Sequence, residues 1–309
     1  MDKLKVCFVG VGSIAKRHIL NLHSICGSSG IALKADAFRR TATVPTGIDA
    51  VYTRMEDMPS DYDVIFITNP TEAHLETLQR FHNKGKHFFI EKPVVSVHQI
   101  AAAEGFQQRK GSVYYVACPL RYHAVIRYIK ENIPPSEVIS VRSISSSYLP
   151  DWRPGQDYRN TYSAHKDMGG GVSIDLIHEW DYLTYLFGWP KKVYSLIGKK
   201  SALEIDSDDQ ALYIADYADK AVELHLDYFG RKTIREIQLF TRTETIMGDI
   251  ANCKVRFLVR NTEQTFHEER DDFQKRELLH FFELIEGKTL PEDGLRHGIQ
   301  VLKLTQGCV

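Results

Sequence analysis

Short apolar runs alternate with amphipathic stretches through the first 120 residues. Lys5-Val6-Cys7-Phe8-Val9 is strand-like and ends at glycine, and Ile14 to Leu22 carries helical spacing. Ile31 to Phe38 predicts a second strand. Asp63-Val64-Ile65-Phe66-Ile67-Thr68 predicts a third, and its continuous apolar character means burial on both faces. Leu75, Leu78 and Phe81 share one helical face within residues 71–84. His87–Ile90 and Val113–Ala117 predict a fourth and a fifth strand, with a helix from about Ser96 to Lys110 between them. Such alternation is the signature of a parallel sheet with crossover helices.

The pattern changes after residue 120. Arg121–Glu131 reads as a helix, Glu137–Tyr148 as a long strand, and Asp175–Phe187 as a helix stopped by Gly188. Strands follow in succession near 211–217, 221–229, 235–240 and 254–259. In the second of these, Val222, Leu224, Leu226 and Tyr228 alternate with Glu223, His225 and Asp227, so one face is buried and one is wet. Helices are predicted at 271–286 and 295–304. A mostly antiparallel sheet with helices on one side fits this order. The fold class is α/β in two domains, 1–120 and 121–309, with Pro134-Pro135 near the junction. A chain of 309 residues agrees with roughly ~150 residues per domain. There is no internal repeat.

Composition narrows the function classes. Lys plus Arg is 39 and Asp plus Glu is 40, a net charge of −1, which argues against a nucleic-acid binder. No apolar run approaches the ~20 residues of a membrane span. With no signal-peptide pattern after Met1, the chain reads as soluble and cytoplasmic. Five scattered cysteines (Cys7, Cys26, Cys118, Cys253, Cys308) read as reduced packing residues, with no zinc-ligand spacing and no metal expected.

Gly10-Val11-Gly12-Ser13-Ile14-Ala15 is G-x-G-x-x-A directly after a strand and at the start of a helix. The first glycine permits the turn, the second lets the backbone approach a pyrophosphate, and Ala15 lets the helix pack close to the sheet. The helix N-terminus supplies N–H groups and partial positive charge for phosphates. Asp36 is the candidate for the adenosine ribose, while Arg39 and Arg40 are placed to meet a 2′-phosphate. The sequence leaves NAD and NADP open.

Further motifs follow in order: Asn69-Pro70 after the third strand with His74 beyond it, Glu91-Lys92-Pro93 after the fourth, and Gly169-Gly170-Gly171 ahead of a helix carrying Asp175, His178 and Asp181. With the glycine loop, this set resembles the Gfo/Idh/MocA family of nicotinamide-dependent oxidoreductases over essentially the whole chain. The resemblance implies a Rossmann domain followed by an α/β domain with an open, mostly antiparallel sheet. It implies that Gly10, Gly12, Ser13, Ile14, Asp36, Arg39, Asn69, Pro70, His74, Glu91 and Lys92 serve the cofactor. It also implies that Lys92 lies beside the nicotinamide and the reacting hydroxyl, where a cation stabilises developing negative charge. His178 is taken as the proton-transfer group, with Asp175 binding a hydroxyl or orienting it. Asp175 and His178 are three apart where the family more often has four. Glu179 therefore competes for the position. His165 is a spare candidate, and His18, His225, His280 and His297 read as structural.

Residues 148–162 are rich in aromatics, arginines and turn formers. They resemble the family's substrate-covering loop, so Trp152, Arg153, Tyr158 and Arg159, together with Arg121 and Tyr122, are candidate substrate residues beside Asp175 and His178. Aromatic faces suit a pyranose, and arginines fork onto carboxylate or phosphate. The competing reading has these arginines pairing with Asp151 and Asp157. The expected function is hydride transfer between NAD or NADP and a secondary alcohol or ketone of a sugar, sugar derivative or cyclitol. An anionic or nucleotide-linked sugar of bacterial surface-sugar metabolism is the expected substrate. Two other functions on this fold compete: a non-catalytic dinucleotide sensor or scaffold, which would be expected to lack Lys92 or His178, and a reductase of a large planar ligand. A homo-oligomer, dimer or tetramer, is implied through the open face of the second sheet, where Glu223, His225 and Asp227 predict a polar contact.

Overall fold

The computed structural model describes residues 2–290 and 293–307. Cys308 lies outside the described residues. The chain divides into two compact units, Met1–Ala117 with Gln274–Ile299, and Cys118–Phe273 with Gln300–Val309. The sequence reading gave everything after residue 120 to the second domain. The structure instead returns 274–299 to the first, where Phe281 packs 5.4 Å from Phe89 and 6.5 Å from Phe66. Pro134-Pro135 lies inside the second unit, between a helix and a strand.

In the first unit, β1 (Lys3–Val9), α1 (Ser13–Ser29), β2 (Ala32–Phe38), β3 (Ala50–Tyr52), β4 (Tyr62–Ile67), α2 (His74–Phe81), β5 (Gly85–Ile90), α3 (Ile100–Glu104) and β6 (Tyr114–Val116) follow in order. The six strands pair in parallel in the order β3-β2-β1-β4-β5-β6. This is the dinucleotide-binding Rossmann order, and it reverses between β1 and β4. Val6, Phe8, Val64, Phe66, Phe88 and Phe89 are all fully buried, as expected of strands covered on both faces. Phe8 stacks on Phe66 at 4.6 Å, and Phe66 on Phe89 at 5.1 Å.

The second unit holds α4 (Ala124–Asn132), β7 (Val138–Tyr148), α5 (Val172–Asp175), α6 (His178–Phe187), β8 (Lys192–Gly198), β9 (Gln210–Asp216), β10 (Ala221–Asp227), β11 (Phe229–Thr241), β12 (Thr245–Asp249), β13 (Lys254–Phe257) and β14 (Thr262–Thr265). The chain then forms α7 (Asp272–Ile285) and α8 (Gly294–Thr305), whose residues fall in both units. Eight strands pair in the order β14-β13-β12-β11-β7-β10-β9-β8. Only β7 and β10 run parallel. The expected alternation on β10 fails at its end: Asp227 is buried, accepting from Ser146 Oγ and from the amides of Phe229 and Gly230 where β10 turns into β11. No described helix is long and apolar enough to cross a membrane.

Candidate active site

The first-unit candidates gather at the C-terminal ends of the parallel strands, the edge where open α/β sheets bind ligands. Gly10 has a positive φ of 85°, and a Cβ there would lie 2.8 Å from the Asn69 Cα. Glycine is required so that the loop after β1 can touch the loop after β4. Thr68 reinforces the same contact, donating its hydroxyl to the Gly10 carbonyl at 2.8 Å. Gly12 is different. It has ordinary φ, and apart from its neighbours along the chain no atom of the described residues lies within 4 Å of where its Cβ would be. Nothing in the fold demands glycine there, whereas a pyrophosphate approaching the backbone would. Gly12 also begins α1 without a side-chain cap, and the first turn has no acidic residue. The amides of Ser13 and Ile14 thus belong to an uncapped helix start. These features fit a dinucleotide diphosphate.

Behind this edge lies a layer of buried polar braces. His74 is fully buried, with Nε2 2.9 Å from the Asn69 carbonyl and Nδ1 3.1 Å from that of Pro93. It ties the Asn69-Pro70 loop to the chain after Lys92 and is not itself open to a ligand, contrary to its expected cofactor role. Burial pushes its imidazole below the ordinary value. Glu91 likewise turns inward. Its Oε1 lies 2.6 Å from His18 Nε2, and its Oε2 accepts from the Lys92 amide at 3.2 Å. Burial alone would raise this carboxyl, but the His18 partner holds it below the usual carboxylate range. Glu91 therefore anchors the backbone of half-buried Lys92. Sequence reading set His18 aside because nothing in helical spacing links residues 73 positions apart.

Asp36, the expected ribose acid, is turned into the core. It lies two residues before the end of β2, is fully buried, and accepts the Tyr62 hydroxyl at 2.8 Å. Asp36 lies 26 positions past Gly10, somewhat farther than the usual ~20, and its side chain faces inward. The residues that follow the strand end are Arg39 and Arg40.

In the second unit the triple glycine is a packing device. A Cβ on Gly170 would fall 2.1 Å from the Tyr162 carbonyl, and one on Gly171 2.2 Å from Asp208 Oδ1. The predicted helix 175–187 is broken: α5 ends at Asp175, Leu176 leaves helical geometry at φ −95°, ψ 27°, and α6 starts at His178. The break therefore falls between Asp175 and His178, so a continuous-helix spacing does not relate their side chains. His178 is half-buried, whereas Glu179 has no exposed surface and takes Arg235 Nε at 2.8 Å and Nη2 at 2.6 Å. Glu179 is a buried structural ion-pair partner, not an accessible acid or base. Asp175 is buried and accepts the Tyr228 hydroxyl at 2.6 Å. Burial and the Asp175 charge push the Tyr162 and Tyr228 phenols upward, and both hydrogen-bond to Asp175. Neither tyrosine was among the expected site residues.

Most of the candidate substrate residues prove to be engaged. Arg121 donates from Nε and Nη2 to Asp181, at 2.9 and 2.6 Å, with little exposure. Arg159 is exposed but forks onto Asp157 and reaches Glu204 at 3.2 Å. Arg159 follows the structural reading of its loop, with Glu204 as a further partner, and Arg121, outside that loop, is held by Asp181. Tyr158 Oη accepts from the Glu204 amide. Trp152 donates to Ser147 Oγ at 2.8 Å and meets Tyr228 edge-on at 5.1 Å. His165 Nε2 sits 2.7 Å from the Arg159 carbonyl. Tyr122 is half-buried on the turn Pro119–Tyr122. Arg153 differs from these: it lies over the Tyr162 ring at 5.1 Å and forms no ion pair among the described residues.

The sequence reading expected no compact metal-ligand cluster, yet His123, Cys253 and Glu268 bring donor atoms within 4.8 Å of one another. His123 Nδ1 accepts from the Val125 amide at the start of α4, so its proton sits on Nε2, which donates to Glu268 Oε2 at 3.2 Å. Glu268 Oε2 also takes the Ala124 amide at 2.8 Å. A proton on Nε2 is the wrong tautomer for metal ligation through that atom. The cluster reads as a helix cap.

Residues 4–118 match the sequence profile of the oxidoreductase family with NAD-binding Rossmann fold, and residues 126–232 that of the GFO/IDH/MocA C-terminal domain. The chain belongs to the Gfo/Idh/MocA family. An inositol 2-dehydrogenase of Rhizobium meliloti (strain 1021) is 24% identical over 58% of this chain and 54% of its own length. The chain spans about half the length of the curated relatives it matches. Among solved structures, UDP-N-acetylglucosamine 3-dehydrogenase of Acidithiobacillus ferrooxidans superposes with TM-score 0.80 at 18% identity, covering 100% of this chain and 97% of its own. A levoglucosan dehydrogenase in complex with NADH and levoglucosan superposes at 0.82 and 17% identity, covering 99% and 96%. These likenesses share the two-sheet α/β fold.

Proposed function

We propose that this chain is an NAD(P)-dependent oxidoreductase acting on a secondary alcohol, or the matching ketone, of a sugar, sugar derivative or cyclitol. The observation that carries the reading is the glycine loop at the point where the parallel sheet reverses. There Gly12 has no packing neighbour, and α1 starts uncapped. The nicotinamide, when bound, supplies the hydride acceptor or donor. The diphosphate is held by Gly10, Gly12, Ser13 and Ile14, with Asn69 and Pro70 forming the facing loop. Lys92 stabilises negative charge on the substrate oxygen, its backbone fixed by Glu91 and His18. His178 exchanges the hydroxyl proton, and Asp175, held by the Tyr228 hydroxyl, binds a neighbouring substrate hydroxyl or orients the histidine.

The named activities of the relatives, on inositol, levoglucosan and UDP-N-acetylglucosamine, support the polyol and sugar class. An anionic or nucleotide-linked sugar of surface-sugar metabolism rests now on Arg153, since Arg121 and Arg159 hold carboxylates. The chain acts as a cytoplasmic homo-oligomer. Support for association comes from Tyr194, Leu196 and Ile214, each more than half exposed at the β8–β9 end of the second sheet. That face is more apolar than Glu223 and His225 alone suggested.

The test is reduced-cofactor absorbance with NAD+ and NADP+ over a panel of inositols, anhydrosugars and nucleotide sugars. Turnover on one class, lost in Lys92→Met with dinucleotide binding retained, is the expected result. Dinucleotide binding with no turnover on any of them overturns the enzymatic reading. Light scattering that gives a 35.4 kDa species overturns the oligomer.

A further inference from the structure

We propose that this chain selects the 2′-phosphorylated dinucleotide, NADP, and that Arg39 and Arg40 hold its phosphate. The inference rests on the dinucleotide reading above and names its cofactor. In a Rossmann sheet the adenosine ribose lies at the C-terminal end of the second strand, beside the glycine loop. An acid there accepts the ribose hydroxyls of NAD and repels a 2′-phosphate, whereas arginine does the reverse.

Three observations decide between them. First, the strand end carries no available acid. Asp36 faces inward onto Tyr62, and residues 37–48 contain no aspartate or glutamate. Asp49, the next acid, is turned back onto the Ala35 amide at 2.8 Å. Second, the backbone places the arginines at the glycine loop. Gly10 donates its N–H to the Phe38 carbonyl at 3.0 Å, and Arg39 donates its own to the Tyr52 carbonyl at 3.1 Å. Arg39 and Arg40 thus follow directly on the residue that touches the loop. Third, both guanidiniums lack a counter-charge. Arg39 makes one hydrogen bond, from Nη1 to the Thr43 carbonyl at 3.3 Å, and neither residue forms an ion pair among the described residues. By contrast, Arg54, Arg80, Arg121, Arg127 and Arg159 each pair with a carboxylate. Guanidiniums without a counter-charge suit a bound dianion, which accepts their forked N–H groups. NAD would leave both uncompensated and would find no carboxylate at this strand end for its ribose.

The experiment is titration calorimetry of the full chain with NADP+, NAD+, 2′,5′-ADP and 5′-ADP. NADP+ should bind at least about tenfold more tightly than NAD+, and 2′,5′-ADP more tightly than 5′-ADP by a similar factor. In an Arg39→Ala/Arg40→Ala variant the NADP+ to NAD+ affinity ratio should collapse toward one. Arg39→Asp should invert it. Arg40 is exposed and Arg39 half-buried, and unchanged circular dichroism confirms the fold. Equal or tighter NAD+ binding by the parent chain overturns this inference and leaves the dinucleotide reading standing, as does an unchanged ratio in the double variant. Failure of both dinucleotides to bind overturns both.

Discussion

The strand-end loops of the first sheet and the loop of residues 148–165 both looked like ligand sites for the same reason: each concentrates residue types that bind. The structure separates them. Around the glycine loop the polar residues form two layers, with His18, Glu91, His74 and Thr68 bonded inward. Gly12, Ser13 and Arg40 stay exposed at the rim. In the second region the charged and aromatic side chains largely satisfy one another, Arg159 with Asp157 and Tyr158 with Glu204. Residue type shows what a side chain can bind. Whether a partner already holds it decides whether it does.

That contrast can be broken most sharply at the two glycines. Gly12→Val should abolish dinucleotide binding while leaving the thermal midpoint unchanged, since no chain atom is near its Cβ. Gly10→Ala should lower the midpoint itself, because the new methyl meets the Asn69 backbone at positive φ. A Gly12→Val chain that binds normally would remove the distinction between rim and brace.

Next in size is His178→Ala, expected to lower kcat by roughly 10²–10⁴ with dinucleotide affinity retained. Its neighbour should behave oppositely. Glu179→Ala leaves Arg235 without its buried partner and should cost about 3 kcal/mol in urea unfolding. If Glu179→Ala folds as stably as the parent and loses turnover instead, the assignments of the two residues are reversed.

A smaller effect concerns acid. Burial holds the His74 imidazole below its ordinary value, so near pH 6.5 the unfolded chain takes up a proton that the folded chain does not. Stability contributed by neutral His74 is therefore present above that pH and is lost as pH falls through it. His74→Gln should flatten the fall in thermal midpoint between about pH 7.5 and about pH 5.5. Part of the slope remains, because burial lowers His87 in the same direction. An unchanged slope would mean that His74 is charged in the fold. The smallest change is expected of Arg159→Ala, less than about twofold in KM for a charged sugar, whereas Arg153→Ala should raise it about tenfold. Equal effects would return the whole loop to a structural role.

The parallel sheet was legible because its strands are buried apolar runs between turn signals. β3 escaped notice because three residues carry no period. In the second sheet β8, β12 and β14 were missed: β14 is Thr-Glu-Gln-Thr, with every residue exposed. The break at Leu176 was invisible because apolar residues continue across it. Asp36 was misplaced because its spacing from Gly10 says nothing of which way a strand residue points. The return of 274–299 to the first unit is a matter of which surface a helix covers, and an amphipathic pattern names no partner.

The wholly exposed β14 carries one more consequence. It closes one end of an eight-stranded sheet, and its backbone would otherwise be a template for further strands. Four polar residues, with Glu263 bridged to Lys254 at 2.9 Å, make that edge short, charged and hydrated. The sheet thus stops growing at this border, because a short, charged and hydrated edge offers little template for a further strand that could propagate into fibres.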